Sequence, residues 1–181
     1  MSLYGSPRGE TTPGFSQMQD DGERFRQGGP AGLWIRLLHL YFVLTRPMTL
    51  GVRGLVHDRA AGTVFLIRHT YVPGWHLPGG GVEKGETMLE ALRRELAEEG
   101  NIELAGPPLL RTIHHNRQAS PRDHVALYLV EDFRQTQPKL PDREIAEAGF
   151  FRLDALPADA TPATRRRIAE AIGGAEPSPT W

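Results

Sequence analysis

Gly80-Gly81-Val82-Glu83-Lys84-Gly85-Glu86-Thr87-Met88-Leu89-Glu90-Ala91-Leu92-Arg93-Arg94-Glu95-Leu96-Ala97-Glu98-Glu99-Gly100-Asn101-Ile102 is the stretch from which the rest of this chain is read. Residues 87–99 carry the strongest helical signal in the sequence. Met88, Leu89, Leu92 and Leu96 supply apolar contacts at helical spacing, and good helix formers fill the positions between them. On that helix Glu95, Glu98 and Glu99 stand at i, i+3 and i+4, so they share one face. Like charges so placed repel, each pair costing ~0.2–0.5 kcal/mol even on an exposed helix. Glu95 and Glu98 also lie far from the helix N-terminus, where the dipole would favour a carboxylate. Such a face suits a hard divalent cation, which takes carboxylate oxygens and offsets the repulsion.

The residues just upstream complete the picture. Pro78 is followed by Gly79, Gly80 and Gly81, and a run of glycines opens backbone conformations closed to other residues. A peptide carbonyl or amide there can approach a metal or a phosphate closely. Arg94 follows Glu86 at a distance that lets it reach back to the loop and tie it to the helix with a charge-assisted pair. The plain alternative is a charged surface helix laced by pairs such as Glu90 with Arg94. It leaves the glycine run, the brace and the carboxylate face unexplained together.

The segment resembles the box of the Nudix hydrolase family (MutT-like), G-x5-E-x7-R-E-U-x-E-E-x-G-U with U aliphatic. Gly80, Glu86, Arg94, Glu95, Leu96, Glu98, Glu99 and Ile102 fall at the expected places. Asn101 stands where the family has its last glycine, and Asn is the next most tolerant residue in a left-handed helix end. The resemblance implies an α/β fold, an α/β/α sandwich around a mixed sheet. It also implies hydrolysis of a diphosphate bond in a nucleotide-type substrate by water attack at phosphorus, with Mg²⁺ or Mn²⁺ as cofactor. Glu95, Glu98 and Glu99 are then the metal ligands, joined by the backbone carbonyl of Gly79. Gly80, Glu86 and Arg94 brace the motif. The general base is Glu98, or one of Glu144 and Glu147, because similar family members carry acidic residues ahead of a late strand. A catalytically silent domain that binds a nucleotide metabolite and regulates a partner is the alternative, but such domains typically lose box carboxylates, and here all are present.

Outward from the box, Thr49–Val56 and Thr63–Arg68 read as a hairpin around a turn at Asp58–Gly62. Trp75-His76-Leu77 is a short strand, with Trp75 more at home buried than stacked on a base. Leu109–His115, Val125–Val130 and Phe150–Leu153 are further strands. Thr161 and Pro162 cap and open a terminal helix that stops near Gly173. Arg165, Arg166 and Arg167 on it read as a solvated face. The expected organisation is a tail over residues 1–30 too polar to order, an apolar N-terminal helix over 31–46, the Nudix domain over 47–174 and a frayed C-terminal tail over 175–181.

Composition narrows the partners. With 21 basic and 22 acidic residues the chain has no global charge to draw it to nucleic acid. The absence of cysteine removes thiolate chemistry, including the isomerase chemistry known in this family. The apolar stretch over 33–44 falls short of the ~20 residues that span a bilayer, and the first thirty residues do not resemble a signal peptide. A cytoplasmic enzyme with a small-molecule substrate is the expectation, as a monomer or a homodimer. The densest basic stretch offers Arg111, Arg117 and His124 as phosphate-binding candidates, since Arg suits bidentate oxyanion contacts. Subfamily markers beyond the box are missing, so a nucleoside triphosphate, a nucleotide sugar and ADP-ribose all stay open.

Overall fold

The computed structural model describes residues 48–181. The tail expected over 1–30 and the helix expected over 31–46 lie outside the described residues. In chain order the elements are β1 (Thr49–Asp58), β2 (Thr63–His69), α1 (Met88–Gly100), β3 (Ile102–Leu104), β4 (Leu109–His115), β5 (Asp123–Val130), β6 (Phe133–Gln135), β7 (Ile145–Arg152) and α2 (Pro162–Ala171). Five strands form one sheet in the order β4-β5-β1-β2-β7, with β1 and β5 parallel and the other pairs antiparallel. β3 and β6 pair as a separate two-stranded ribbon, which the sequence reading did not anticipate.

The sheet alternates its side chains into two cores. Val52, Phe65, Ile67, Ala126 and Tyr128 pack with Leu92 and Leu96 of α1. Leu55, Val64, Leu66 and Leu127 pack with Trp75 and with Ile168 and Ala171 of α2. Period-two alternation in the strands thus feeds a helix on each face, and the architecture is the expected α/β/α sandwich around a mixed sheet. Trp75 is buried edge-on against Phe151, with centroids 4.6 Å apart, as its apolar bulk favours.

The first hairpin turns where Asp58 accepts hydrogen bonds from the Ala60 and Ala61 amides, both at 3.0 Å. β1 and β2 then part, and the segment around Pro78–Val82 enters between them. The Val52 amide donates to Gly80 O at 2.9 Å, Gly54 N to Pro78 O at 2.9 Å and Val82 N to Leu50 O at 2.8 Å. The glycine run is therefore held by sheet-type bonds along β1 rather than being a free loop.

Three expectations are corrected. β7 begins at Ile145, five residues ahead of the expected Phe150, because it pairs along most of β2. Arg167 is not solvated: it is 0% exposed, bonded to Glu170 Oε1 at 2.6 Å, with its guanidinium 5.3 Å from the Trp181 ring. The segment over 175–181 is not frayed. His115 N donates to Pro179 O at 2.9 Å and Trp181 N to His115 O at 3.1 Å, so the segment lies as a short parallel bridge on the edge of β4. Among the described residues no helix is long and apolar enough to cross a membrane.

Candidate active site

The carboxylate helix is fixed at both ends by its own sequence. Thr87 caps α1 by accepting from the Glu90 amide at 3.2 Å, while Glu90 accepts from the Thr87 amide at 2.8 Å. Glu90 is thus a capping residue, and Arg94 pairs with Glu86 instead. At the other end Asn101 takes the left-handed conformation at φ 51° and donates its amide to Ala97 O at 3.0 Å. Asn fills the role of the family's glycine there because its short polar side chain tolerates that region.

Arg94 is the hub of the brace. Its Nε donates to Glu86 Oε1 at 3.0 Å and its Nη2 to Glu86 Oε2 at 3.1 Å, a two-pronged charge-assisted pair. The same Nη2 donates to Gly81 O at 3.0 Å, and Nη1 to Glu95 Oε1 at 2.8 Å. Glu86 in turn accepts from the Glu83 amide at 2.9 Å, closing the loop on itself. Helix, loop and one candidate ligand are joined through one guanidinium.

Glycine is demanded at Gly79, and at Gly80 it leaves room for a carboxylate. Gly79 has φ +136°, and a Cβ there would lie 2.1 Å from the Val52 carbonyl oxygen. Its amide donates to Glu99 Oε2 at 2.6 Å, and its carbonyl accepts from Arg53 Nη1. At Gly80 a Cβ would sit 2.3 Å from Glu95 Oε1. The backbone is pressed against the carboxylates on one side and against β1 on the other.

This closeness perturbs the acids. Burial pushes the Glu99 carboxyl up to about 7, opposed by the Gly79 amide and by the nearby Arg53 charge. Burial also raises Glu95, opposed by Arg94. Arg53 is held below its ordinary value by burial, with Glu99 and Glu95 working against that. His69 reaches to 3.8 Å from Glu99 Oε1. Glu98, its side chain 60% exposed, stands 3.4 Å from Arg94 Nη1.

As the side chains stand, no three acidic or histidine groups among the described residues converge closely enough to hold an ion. The donor set nonetheless fits a hard cation. Glu95 and Glu99 are two carboxylates whose ionised form is disfavoured by burial where they sit, and the Gly79–Gly80 backbone approaches both. A divalent ion accepting those oxygens would offset the burial cost.

The other candidates divide between the two sheet faces. A bulge between Arg68 and His69 sets the pairing of β2 with β7. It places His69 opposite Ile145, on the face covered by α1, and Arg68 opposite Glu147, on the face of Trp75. Glu147 is ion-paired with Arg68, whose guanidinium lies 5.6 Å from the Trp75 ring. Its carboxylate, offered by the sequence as a candidate base, is thus engaged by Arg68 and by no residue of the box. Glu144 lies on the site's side: its carbonyl accepts from Thr70 N at 2.9 Å, and its charge acts on both Glu99 and Tyr71.

The basic stretch is not gathered at the carboxylates. Arg111 is exposed on β4 and Arg117 in the loop after it, while His124 stacks on His115 with centroids 5.0 Å apart. None of the three forms an ion pair with the box among the described residues. Beside Arg94, the cation whose charge acts on Glu95 and Glu99 is Arg53, which sequence reading missed together with His69 and Tyr71. One signal was available: Arg53 interrupts an otherwise apolar, glycine-spaced strand, and a charge at a buried strand position calls for a partner.

Comparison with known proteins converges on this segment. The NUDIX domain matches residues 47–171. The NAD-capped RNA hydrolase NudC of Citrobacter koseri is 31% identical over 119 residues, covering 64% of this chain and 45% of that protein. The RNA pyrophosphohydrolase of Gluconobacter oxydans is 41% identical over 61 residues, covering 31% of this chain and 36% of its own. The chain thus spans less than half the length of these curated relatives. Among solved structures, a MutT NUDIX hydrolase from Burkholderia pseudomallei superposes with a TM-score of 0.59 at 26% identity, covering 70% of this chain and 99% of that one.

Proposed function

The chain belongs to the Nudix family, and from that premise we propose that it is a divalent-metal-dependent hydrolase of a phosphoanhydride bond in a nucleotide-type substrate. The observation that carries this is the double grip on Gly79. Glu99 takes its amide and Arg53 its carbonyl, so backbone and carboxylate helix form one rigid cradle. Preorganised groups of this kind stabilise charge that develops in the transition state without reorganising.

Glu95 and Glu99 are the principal metal ligands in this reading, with Glu98 completing the set; the Gly79 carbonyl, expected to join them, is engaged by Arg53. Mg²⁺, or Mn²⁺ in its place, would neutralise diphosphate charge and lower the pKa of the attacking water. Glu86 and Arg94 position the ligands through the brace and touch no reacting atom. Glu144 is the base we favour. It belongs to a segment separate from the metal helix, is open to solvent, and its backbone is tied to Thr70 beside His69. From there it can orient a water on the substrate side and take its proton. The catalytic domain is proposed to run over 47–174.

The test is product release from nucleoside triphosphates, nucleotide sugars, ADP-ribose, NAD and 5′-triphosphorylated RNA, with Mg²⁺ or Mn²⁺ and with EDTA. The RNA arm is included because both curated relatives are named for RNA substrates. Metal-dependent turnover of a free nucleotide, lost in Glu99→Gln, is the expected result. A folded, metal-binding protein inert across the panel would sink the reading in favour of a binding domain.

A further inference from the structure

The segment Ser178–Trp181 has no part in the site described above, yet the fold builds a slot for it between the edge of β4 and α2. His115 N donates to Pro179 O at 2.9 Å and Trp181 N to His115 O at 3.1 Å, so the segment adds to the sheet as a short strand. From the buried side, His114 Nδ1 donates to Ser178 O at 2.7 Å and Arg167 Nη1 to Thr180 O at 3.0 Å. Ser178 N donates to Glu170 Oε1 at 3.1 Å. All of these bonds fall on the main chain of the segment. The side chain that the slot reads is Trp181, whose ring lies 5.3 Å from the Arg167 guanidinium and edge-on to His114 at 5.5 Å.

Such a slot is indifferent to which copy of the chain supplies the segment, because a segment from another copy would make the same bonds. The connection from α2 leaves that choice open. Residues 173–177 are exposed, and Gly174 sits at φ +74° with nothing within 4 Å of where a Cβ would be. The bond from Ala175 N to Ala169 O, at 3.1 Å, is what ties this connection back to the helix. Within one chain the short tether gives the segment a high effective concentration at its own slot. Exchange between copies therefore needs an added contact.

β4 supplies one. It is the edge of the five-stranded sheet, and among the described residues its outer side is paired at His115 alone. Leu110 and Ile113 stand opposite Tyr128 and Ala126 of the α1 core, yet they are 43% and 47% exposed, and Leu109 beside them is 55% exposed. An open apolar edge of this kind is a template for another chain. We propose that a second copy of this chain docks here, each copy's Ser178–Trp181 filling the other's slot while the Leu109–Ile113 stretches of the two β4 strands face each other across a two-fold axis. The exchange is self-complementary and closes, so it ends at a dimer. A stable interface buries about 1,200–2,000 Å². Two exchanged segments, each with a tryptophan that brings about 150–250 Å², approach that range together with the apolar side chains of both β4 edges.

The test is sedimentation equilibrium of the full chain over a concentration series. The wild type is expected to show a reversible monomer–dimer equilibrium in the micromolar range. Trp181→Ala should weaken dimerisation at least about tenfold, as loss of a central aromatic anchor does. Ile113→Glu lies outside the slot and should weaken it similarly while leaving the melting temperature of the dilute protein unchanged. A second arm needs no variant of the protein. A synthetic peptide of residues 175–181, added in excess to the wild type, should shift the equilibrium to monomer, and the same peptide with Ala in place of Trp should not. A wild type that stays monomeric throughout would overturn the proposal. So would a dimer indifferent to Trp181→Ala, to Ile113→Glu or to the peptide, since it would form through another surface.

Discussion

The amide of Gly79 donates to Glu99 Oε2 at 2.6 Å across 20 positions of sequence, and that contact joins the two halves of the site. It holds a carboxylate in a buried place where its charge is disfavoured, and it holds a peptide in a conformation that only glycine adopts.

Gly79→Ala and Gly80→Ala should therefore fail differently. At Gly79 the new methyl meets a backbone oxygen 2.1 Å away at positive φ, and nothing there can yield. The loss should be on the order of 2–4 kcal/mol, read as a lower denaturant midpoint. At Gly80 the methyl meets the far end of Glu95, which can swing aside. Gly80→Ala should fold normally and lose roughly 10–100-fold in Mn²⁺ affinity by paramagnetic resonance titration. Wild-type metal affinity in that variant would remove Glu95 from the ligand set.

Glu99→Gln should stabilise the metal-free protein while abolishing metal binding. The folded carboxyl titrates at about 7 against an ordinary 4.5, so the folded state binds the proton more tightly than the unfolded one. That group's contribution to stability is present below 4.5 and lost as pH rises through about 7. Gln keeps an oxygen for the Gly79 amide without the charge. Melting in EDTA should show a gain on the order of 1–3 kcal/mol at pH 8 that shrinks toward pH 5. A variant destabilised equally at both pH values would contradict the burial argument.

Glu144→Gln and Glu147→Gln separate the two faces of the sheet. The first should lower kcat by ~10²-fold or more with little change in KM, as loss of a general base does. The second removes only an ion pair with Arg68 at the surface, worth about 0–1 kcal/mol, and should leave kcat alone. Steady-state kinetics of both variants decide it, and a kcat lost in Glu147→Gln instead would overturn the facial assignment.

The C-terminal segment should loosen in mild acid. His114 is fully buried, and burial together with Arg167 holds its imidazole below the ordinary 6.5, while Ser178 O and Glu170 pull the other way. The unfolded chain therefore takes up the proton first. Stability is present above 6.5 and lost as pH falls through the depressed folded value. His69 and His76 are also depressed by burial and add to the same slope. The readout is the difference in melting temperature between pH 8 and pH 5.5, which should be smaller in His114→Gln than in the wild type. An identical difference would clear His114 of any role.

What could be read along the chain was whatever depends on neighbours a few residues apart. The helix over the box, its carboxylate face, the Glu86–Arg94 brace and the left-handed Asn101 all follow from spacing and conformational preference within two turns. Strand and helix periods pointed to a mixed α/β domain, and the sandwich itself was implied by the resemblance of the box; both helices of the described residues lie where the periods put them. The plain alternative of a charged surface helix, with Glu90 paired to Arg94, is not what forms, because the Thr87 cap takes Glu90 and Glu86 takes Arg94.

Tertiary structure decided what hangs on strand pairing between distant segments. The irregularity beside Arg68 and His69 skips Ala146 of β7, so Ile145 stands opposite His69 while Glu147 stands opposite Arg68, and a slip of one residue in β7 would change the face of each of its side chains. Arg53 becomes part of the site only because β1 and β2 part and admit the glycine run between them. Arg167 looks like one of three solvated cations until the final residues fold back over it with Glu170 and His114. Periodicity says which residues want to be buried; the partner that makes a buried charge tolerable comes from elsewhere in the chain, and only folding brings it there.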